Sequence, residues 1–137
     1  MKKTICLITL IICFIGNVLA DEPFRKTIVN KEHDVVMKID LYNNLIIPGQ
    51  ELFGEVGGYL YYRKDGRVWI ITNAEINGNI ATLTITNDYG SEDLTATLTA
   101  ENDGTYTLRQ EKGSTIKIAV NKKWVKLPSK MTFTPEN

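Results

Sequence analysis

The chain has 137 residues, 43% of them apolar, with 16 basic and 16 acidic side chains and one histidine. That length sets a single domain as the expectation, and a formal charge of zero excludes a broad electrostatic attraction to nucleic acid. Both cysteines, Cys6 and Cys13, fall in the first 20 residues, so the rest of the chain can form neither a disulfide nor a thiolate metal site.

Met1-Lys2-Lys3 supplies a basic start, Thr4 to Ile15 is almost wholly apolar but short for a membrane span, and Val18-Leu19-Ala20 offers the small residues a signal peptidase reads. Ile12 before Cys13 and Phe14-Ile15 after it fit a hydrophobic signal core rather than a lipidation site. The sequence therefore predicts a cleaved signal peptide over 1–20 and one all-β domain over 21–137, periplasmic or secreted in a bacterium and not membrane-embedded after cleavage. Removing Lys2 and Lys3 leaves 14 basic against 16 acidic side chains, a net charge of about −2.

Asp21 to Lys26 is polar, carries a proline and reads as a loose leader. Thr27-Ile28-Val29 is a short strand, and DVVMKIDLY (34–42) is a better one, with Val35, Met37, Ile39 and Leu41 on its core face. Asn43-Asn44 and Pro48-Gly49 bracket a loop containing Leu45-Ile46-Ile47, and Gly54, Gly57 and Gly58 mark a bend before the next strand. GYLYYRK, RVWIITNAEI, IATLTIT, LTATLTA, TYTLRQ and TIKIAV then follow, each separated by Asn, Asp or Gly turns. Consecutive hairpins make the fold class all-β, an antiparallel meander of about seven to nine strands forming a small barrel or sandwich.

Asp65-Gly66 reads as a two-residue type I′ turn that places Tyr62 opposite Trp69 and Leu60 opposite Ile71. Asn77-Gly78-Asn79 preserves face parity, so Val68, Ile70, Ala74 and Ile76 are expected on the core face with Ala81, Leu83 and Ile85. That face continues through Leu94, Ala96, Leu98, Tyr106, Leu108, Ile116, Ile118 and Val120. The opposite face collects Thr82, Thr84, Thr86, Thr95, Thr97, Thr99, Thr105 and Thr107, joined at one end by Leu60, Tyr62, Trp69 and Ile71. Asn121 to Val125 prolongs the last strand, and Leu127-Pro128-Ser129 breaks it before a short MTF segment.

No catalytic set emerges. His33 has no second imidazole or thiolate to complete a transition-metal site, and Ser91, Ser114 and Ser129 lie in ordinary turn or loop contexts. Glu75 is a lone strand carboxylate, and Asn87-Asp88 with Glu92-Asp93, like Asn102-Asp103, is turn chemistry without EF-hand spacing. Lys122, Lys123, Lys126 and Lys130 cluster around Trp124 and read as a solvated face. No metal or cofactor is implied.

The strongest surface is the aromatic end of the threonine face. A Tyr-Trp pair left in water would forgo several kcal/mol, at ~25 cal/mol/Å² for rings of about 150–250 Å² each. Either the termini, with Val125, Leu127, Met131 and Phe133, pack over Leu60, Tyr62, Trp69 and Ile71, or that set receives a partner protein or ligand beside hydroxyls such as Thr84.

GYLYYRKDGRVWI, the Asn-Gly turn and IATLTIT together resemble the central hairpins of small exported bacterial β-meander proteins, including calycin-like barrels and periplasmic lysozyme inhibitors, over about residues 54–120. Beyond residue 20 the chain lacks the cysteines that many such inhibitors use as a staple. The resemblance implies a non-enzymatic binder whose loops or one sheet face do the work. The expected function is thus an exported non-catalytic binding protein, an inhibitor or immunity factor for a cell-envelope enzyme. The alternative is a small barrel that carries an apolar ligand or a glycan.

Overall fold

The computed structural model describes residues 22–136; the expected signal segment lies outside them. Among the described residues the strands are β1 (Arg25–Asn30), β2 (Val35–Asp40), β3 (Leu45–Ile46), β4 (Glu55–Val56), β5 (Gly58–Tyr62), β6 (Val68–Asn77), β7 (Ile80–Asn87), β8 (Asp93–Ala100), β9 (Tyr106–Gly113), β10 (Lys117–Val120), β11 (Lys123–Lys126) and β12 (Lys130–Pro135). Eight of them close a barrel in the order β1-β12-β9-β8-β7-β6-β5-β2, every pair antiparallel. The fold is the expected all-β meander, in its barrel form. Closure removes the sheet's open edges, and an interior of this strand number is narrow enough for side chains to fill.

Alternation does most of the building. Ala81, Leu83 and Ile85 of β7 and Leu94, Ala96 and Leu98 of β8 are buried in one core with Val35, Met37 and Ile39 of β2. The threonines between them lie on the outer wall, where Thr82 pairs with Thr97 and Thr84 with Thr95. At roughly 1.5–3 kcal/mol per buried aliphatic side chain, this interior is the main stabilising term.

The β5–β6 hairpin differs from its expected form in two ways. Tyr61 pairs with Val68 and Leu60 with Trp69, so the loop spans Tyr62 to Arg67 and the register is two residues from that of a tight Asp-Gly turn. Asp65 instead accepts the Gly66 N–H at 2.9 Å and binds Arg67, which stabilises a wider loop. A shift of two keeps the faces, so Leu60, Tyr62, Trp69 and Ile71 still share a side. That side is the interior, because a bulge between Ile71 and Asn73 changes the parity of β6 midway. Ile71 then opposes Ile85, and Val68 and Ile70 turn outward.

Those outward residues gain their own cover. Ile47 and Val56, from the β3–β4 excursion, bury Tyr59, Val68 and Ile70 in a second small core on the barrel wall. Gly58 permits this tight corner: a Cβ there would lie 2.3 Å from the Lys38 carbonyl oxygen.

Both ends of the chain are tied in. Phe24, expected in a loose leader, is fully buried; its carbonyl accepts the Leu41 N–H at 3.0 Å and its N–H donates to the Tyr42 hydroxyl at 3.2 Å. Leu127, Met131 and Phe133 enter the main core, while β12 lies between β1 and β9.

Candidate functional site

The most distinctive exposed surface is built by β10 and β11, which form a two-stranded sheet outside the barrel ladder. The sequence reading joined these residues into one strand. Instead the chain reverses at Asn121-Lys122, whose φ values of 52° and 68° put both central turn residues in the left-handed region required by a type I′ hairpin. Asn tolerates that region; Lys does not favour it, so the turn carries no glycine to announce it.

Ile116 and Ile118 drop into the barrel core and anchor the hairpin. Trp69 adds a polar tether, its indole N–H donating to the Lys117 carbonyl at 3.0 Å. The companion strand is unlike the other strands among the described residues, because Lys123, Trp124, Val125 and Lys126 are all exposed. Trp124 is 59% exposed, against 6% for Trp69.

Arg67 holds the Trp124 ring from the β5–β6 loop, its guanidinium carbon 4.9 Å from the ring centroid. Asp65 fixes that guanidinium through contacts of 3.2 and 3.0 Å to its two carboxylate oxygens. Hydrogen bonding to Asp65 and its negative charge, with a smaller contribution from Tyr89, raise the Arg67 pKa further above its ordinary value. Two grooves meet at Trp124. The larger, of about 500 Å³, is lined by Tyr62, Lys64, Arg67, Lys122 and Lys123 among others. The smaller, of about 120 Å³, runs past Trp69, Tyr89 and Glu92.

The residues singled out from sequence are distributed unevenly around this surface. Leu60, Trp69 and Ile71 are interior residues of the main core, at 0%, 6% and 0% exposure. Tyr62 packs against the same core and lines the larger groove. Thr84 is exposed on the outer barrel wall opposite Asn73 and Thr95, apart from the hairpin. Trp69 bears on the surface indirectly, through its bond to Lys117.

The other residues weighed for chemistry sit in local turn or wall contexts. His33 Nδ1 lies 3.1 Å from Asn30 Oδ1, Glu75 is exposed on β6, and Asn87 uses its side chain to bind Ser91 and Glu92 across the β7–β8 turn. A separate groove of about 710 Å³, at the opposite end of the barrel, is lined by Tyr42, Asn79, Glu101, Asn102, Thr105 and Tyr106 among others.

Sequence reasoning found the lysines around Trp124 but assigned them to a solvated face. The missed signal was an aromatic residue in a cationic stretch with no apolar neighbour at strand period on its own face. No protein-family model, curated protein or solved structure matches this chain.

Proposed function

We propose that this is an exported, non-catalytic binding protein that recognises a protein of the cell envelope, as an inhibitor or immunity factor, through the hairpin end of its barrel. The observation that carries the reading is Trp124: an indole 59% exposed, held by Arg67 on a strand with no buried residue. Trp and Arg are the residues most enriched among the few that dominate binding energies, and a preordered pair loses little side-chain freedom on association. The amino-terminal signal pattern and the likeness of residues 54–120 to exported β-meander binders support the compartment and class.

The test is capture from envelope fractions by the mature protein, followed by calorimetry with the purified partner. Trp124→Ala should keep its melting temperature and weaken binding at least tenfold. Unchanged affinity in that variant would move the working surface elsewhere.

The glycan reading keeps one support, the groove of about 710 Å³ with its Tyr, Asn and Thr lining. Against an apolar ligand inside the barrel, Leu60, Ile71, Leu83, Ile85, Leu98 and Leu108 already occupy the interior with no exposure.

A further inference from the structure

We infer that the partner contributes an extended acidic segment that pairs with the free edge of β11 as a third strand. This rests on the hairpin end being the recognition surface and specifies how it recognises. The hydrogen-bond pattern of the hairpin identifies the groups involved. Val120 pairs with Lys123 across a two-residue turn, and Leu127 donates to the Ile116 carbonyl at 2.8 Å. Alternation between those two bonded positions makes Ile118 and Val125 a bonded pair and turns the backbone groups of the intervening residues outward. On β10 the outward carbonyl of Lys117 is taken by Trp69. On β11 the outward groups are the N–H and C=O of Trp124 and Lys126, on an edge where no strand pairs among the described residues.

Charge selects what can add there. Lys64, Lys122, Lys123 and Lys126 form no ion pair among the described residues, whereas Arg67 is paired with Asp65 and Lys117 with Glu92. Lys64, Lys122 and Lys123 line the larger groove and Lys126 lies on the ladder edge, four unpaired cations against one unpaired carboxylate, Asp88 of the smaller groove, in a chain whose net charge after residue 20 is about −2. A second copy of β11 would bring Lys122, Lys123 and Lys126 against their equivalents, so the same lysines that block self-pairing favour an acidic strand. Backbone bonds would supply affinity, Trp124 a surface for an apolar side chain, and the lysines the choice of partner.

A defined probe is the capped peptide Thr-Glu-Glu-Val-Glu-Glu-Thr, whose alternation can set Val against Trp124 with Glu on either side of it on the same face, titrated while the Trp124 and Lys126 amide resonances are followed. It should bind, weaken roughly tenfold or more between low and high salt, and shift both amides. Its Gln-for-Glu analogue and a version N-methylated on alternate amides should each bind at least about tenfold more weakly. Lys126→Pro removes one outward N–H at a position where an edge strand accepts proline, and it should lose more affinity than Lys126→Gln. Melting temperature and protection of the β10–β11 amides confirm that both variants fold.

Equal binding of the N-methylated peptide, equal effects of the two Lys126 variants, or tighter binding of a trigalacturonate would overturn strand addition; the last would point to an acidic glycan. Dimerisation through β11 in sedimentation would assign the edge to a second copy. If the peptide fails to bind while partner capture still depends on Trp124, strand addition is wrong and the binding surface stands. If capture is also independent of Trp124, both are wrong.

Discussion

Lys122 occupies a backbone conformation that its own side chain disfavours. At φ 68° its Cβ is crowded against the backbone, a cost of about 1–2 kcal/mol that glycine would avoid. Lys122→Gly should therefore stabilise the fold, by about 0.5–1 kcal/mol once the extra freedom of glycine in the unfolded chain is counted, as read from urea unfolding. The same substitution removes a cation from the groove and should weaken partner binding. A gain in stability joined to a loss in binding would show that Lys122 serves recognition at the expense of the turn. Asp40 shows the opposite arrangement. Burial works against its charge, but the N–H groups of Asn43 and Tyr42, at 2.9 and 3.1 Å, and the neighbouring Arg25 together lower its pKa below 3.8. A lowered carboxyl pKa means that ionised Asp40 stabilises the fold above about pH 3.8 and that this contribution fades as pH falls through the lower folded value. Asp40→Asn keeps an acceptor for both N–H groups and loses the charge, so its stability should vary less than wild type between about pH 5 and pH 2, measured by acid titration of circular dichroism.

The β10–β11 hairpin is held by a few contacts rather than by a shared ladder: Ile116 and Ile118 in the core, the Trp69 indole on the Lys117 carbonyl, the Ile116 N–H on the Gln110 side chain, the Lys117–Glu92 ion pair and Arg67 on Trp124. Trp69→Phe keeps most of the apolar ring and leaves that carbonyl without its donor. The expected cost is about 1–3 kcal/mol, with faster hydrogen exchange concentrated in the β10–β11 amides while β7 and β8 stay protected. Uniform deprotection would mean that the hairpin is not a separate unit. This element also shows where sequence reading succeeds and fails. The strands of β7 and β8 were legible because Thr alternates with Ala, Leu and Ile through both, and one buried face fixes one register. The Asn121-Lys122 turn was not, because one of its two positive φ values falls on Lys122, a residue type that normally avoids them. Nor was the bulge beside Thr72, which carries no composition signal and changes which side of β6 faces inward. That one extra residue put Trp69 and Ile71 in the main core when the pattern placed them on the threonine face.

Across the whole molecule, the interior draws from every barrel strand, from Ile28 of β1 to Phe133 of β12, so no wall can be removed without exposing the rest. Burial and recognition are correspondingly divided between the two tryptophans: Trp69 reports the core, and Trp124 the surface that the core supports. Leu60→Ala opens space at the centre of this packing and should cost about 2–5 kcal/mol, a large share of the 5–15 kcal/mol typical of such a domain. Trp124→Ala should change stability by no more than about 0.5 kcal/mol, because its ring rests on the outside of an anchored strand. Urea titrations of both, in parallel with a Trp124→Phe protein whose remaining indole is Trp69, measure this division directly. The far-ultraviolet signal and the Trp69 emission of that protein should follow one curve, since strand pairing and the packed interior depend on the same closure. An emission change at lower urea than the loss of strand signal would show that the packing around Trp69 loosens before the barrel opens, and the Leu60→Ala cost would then have to be read from the emission curve rather than from the strand signal.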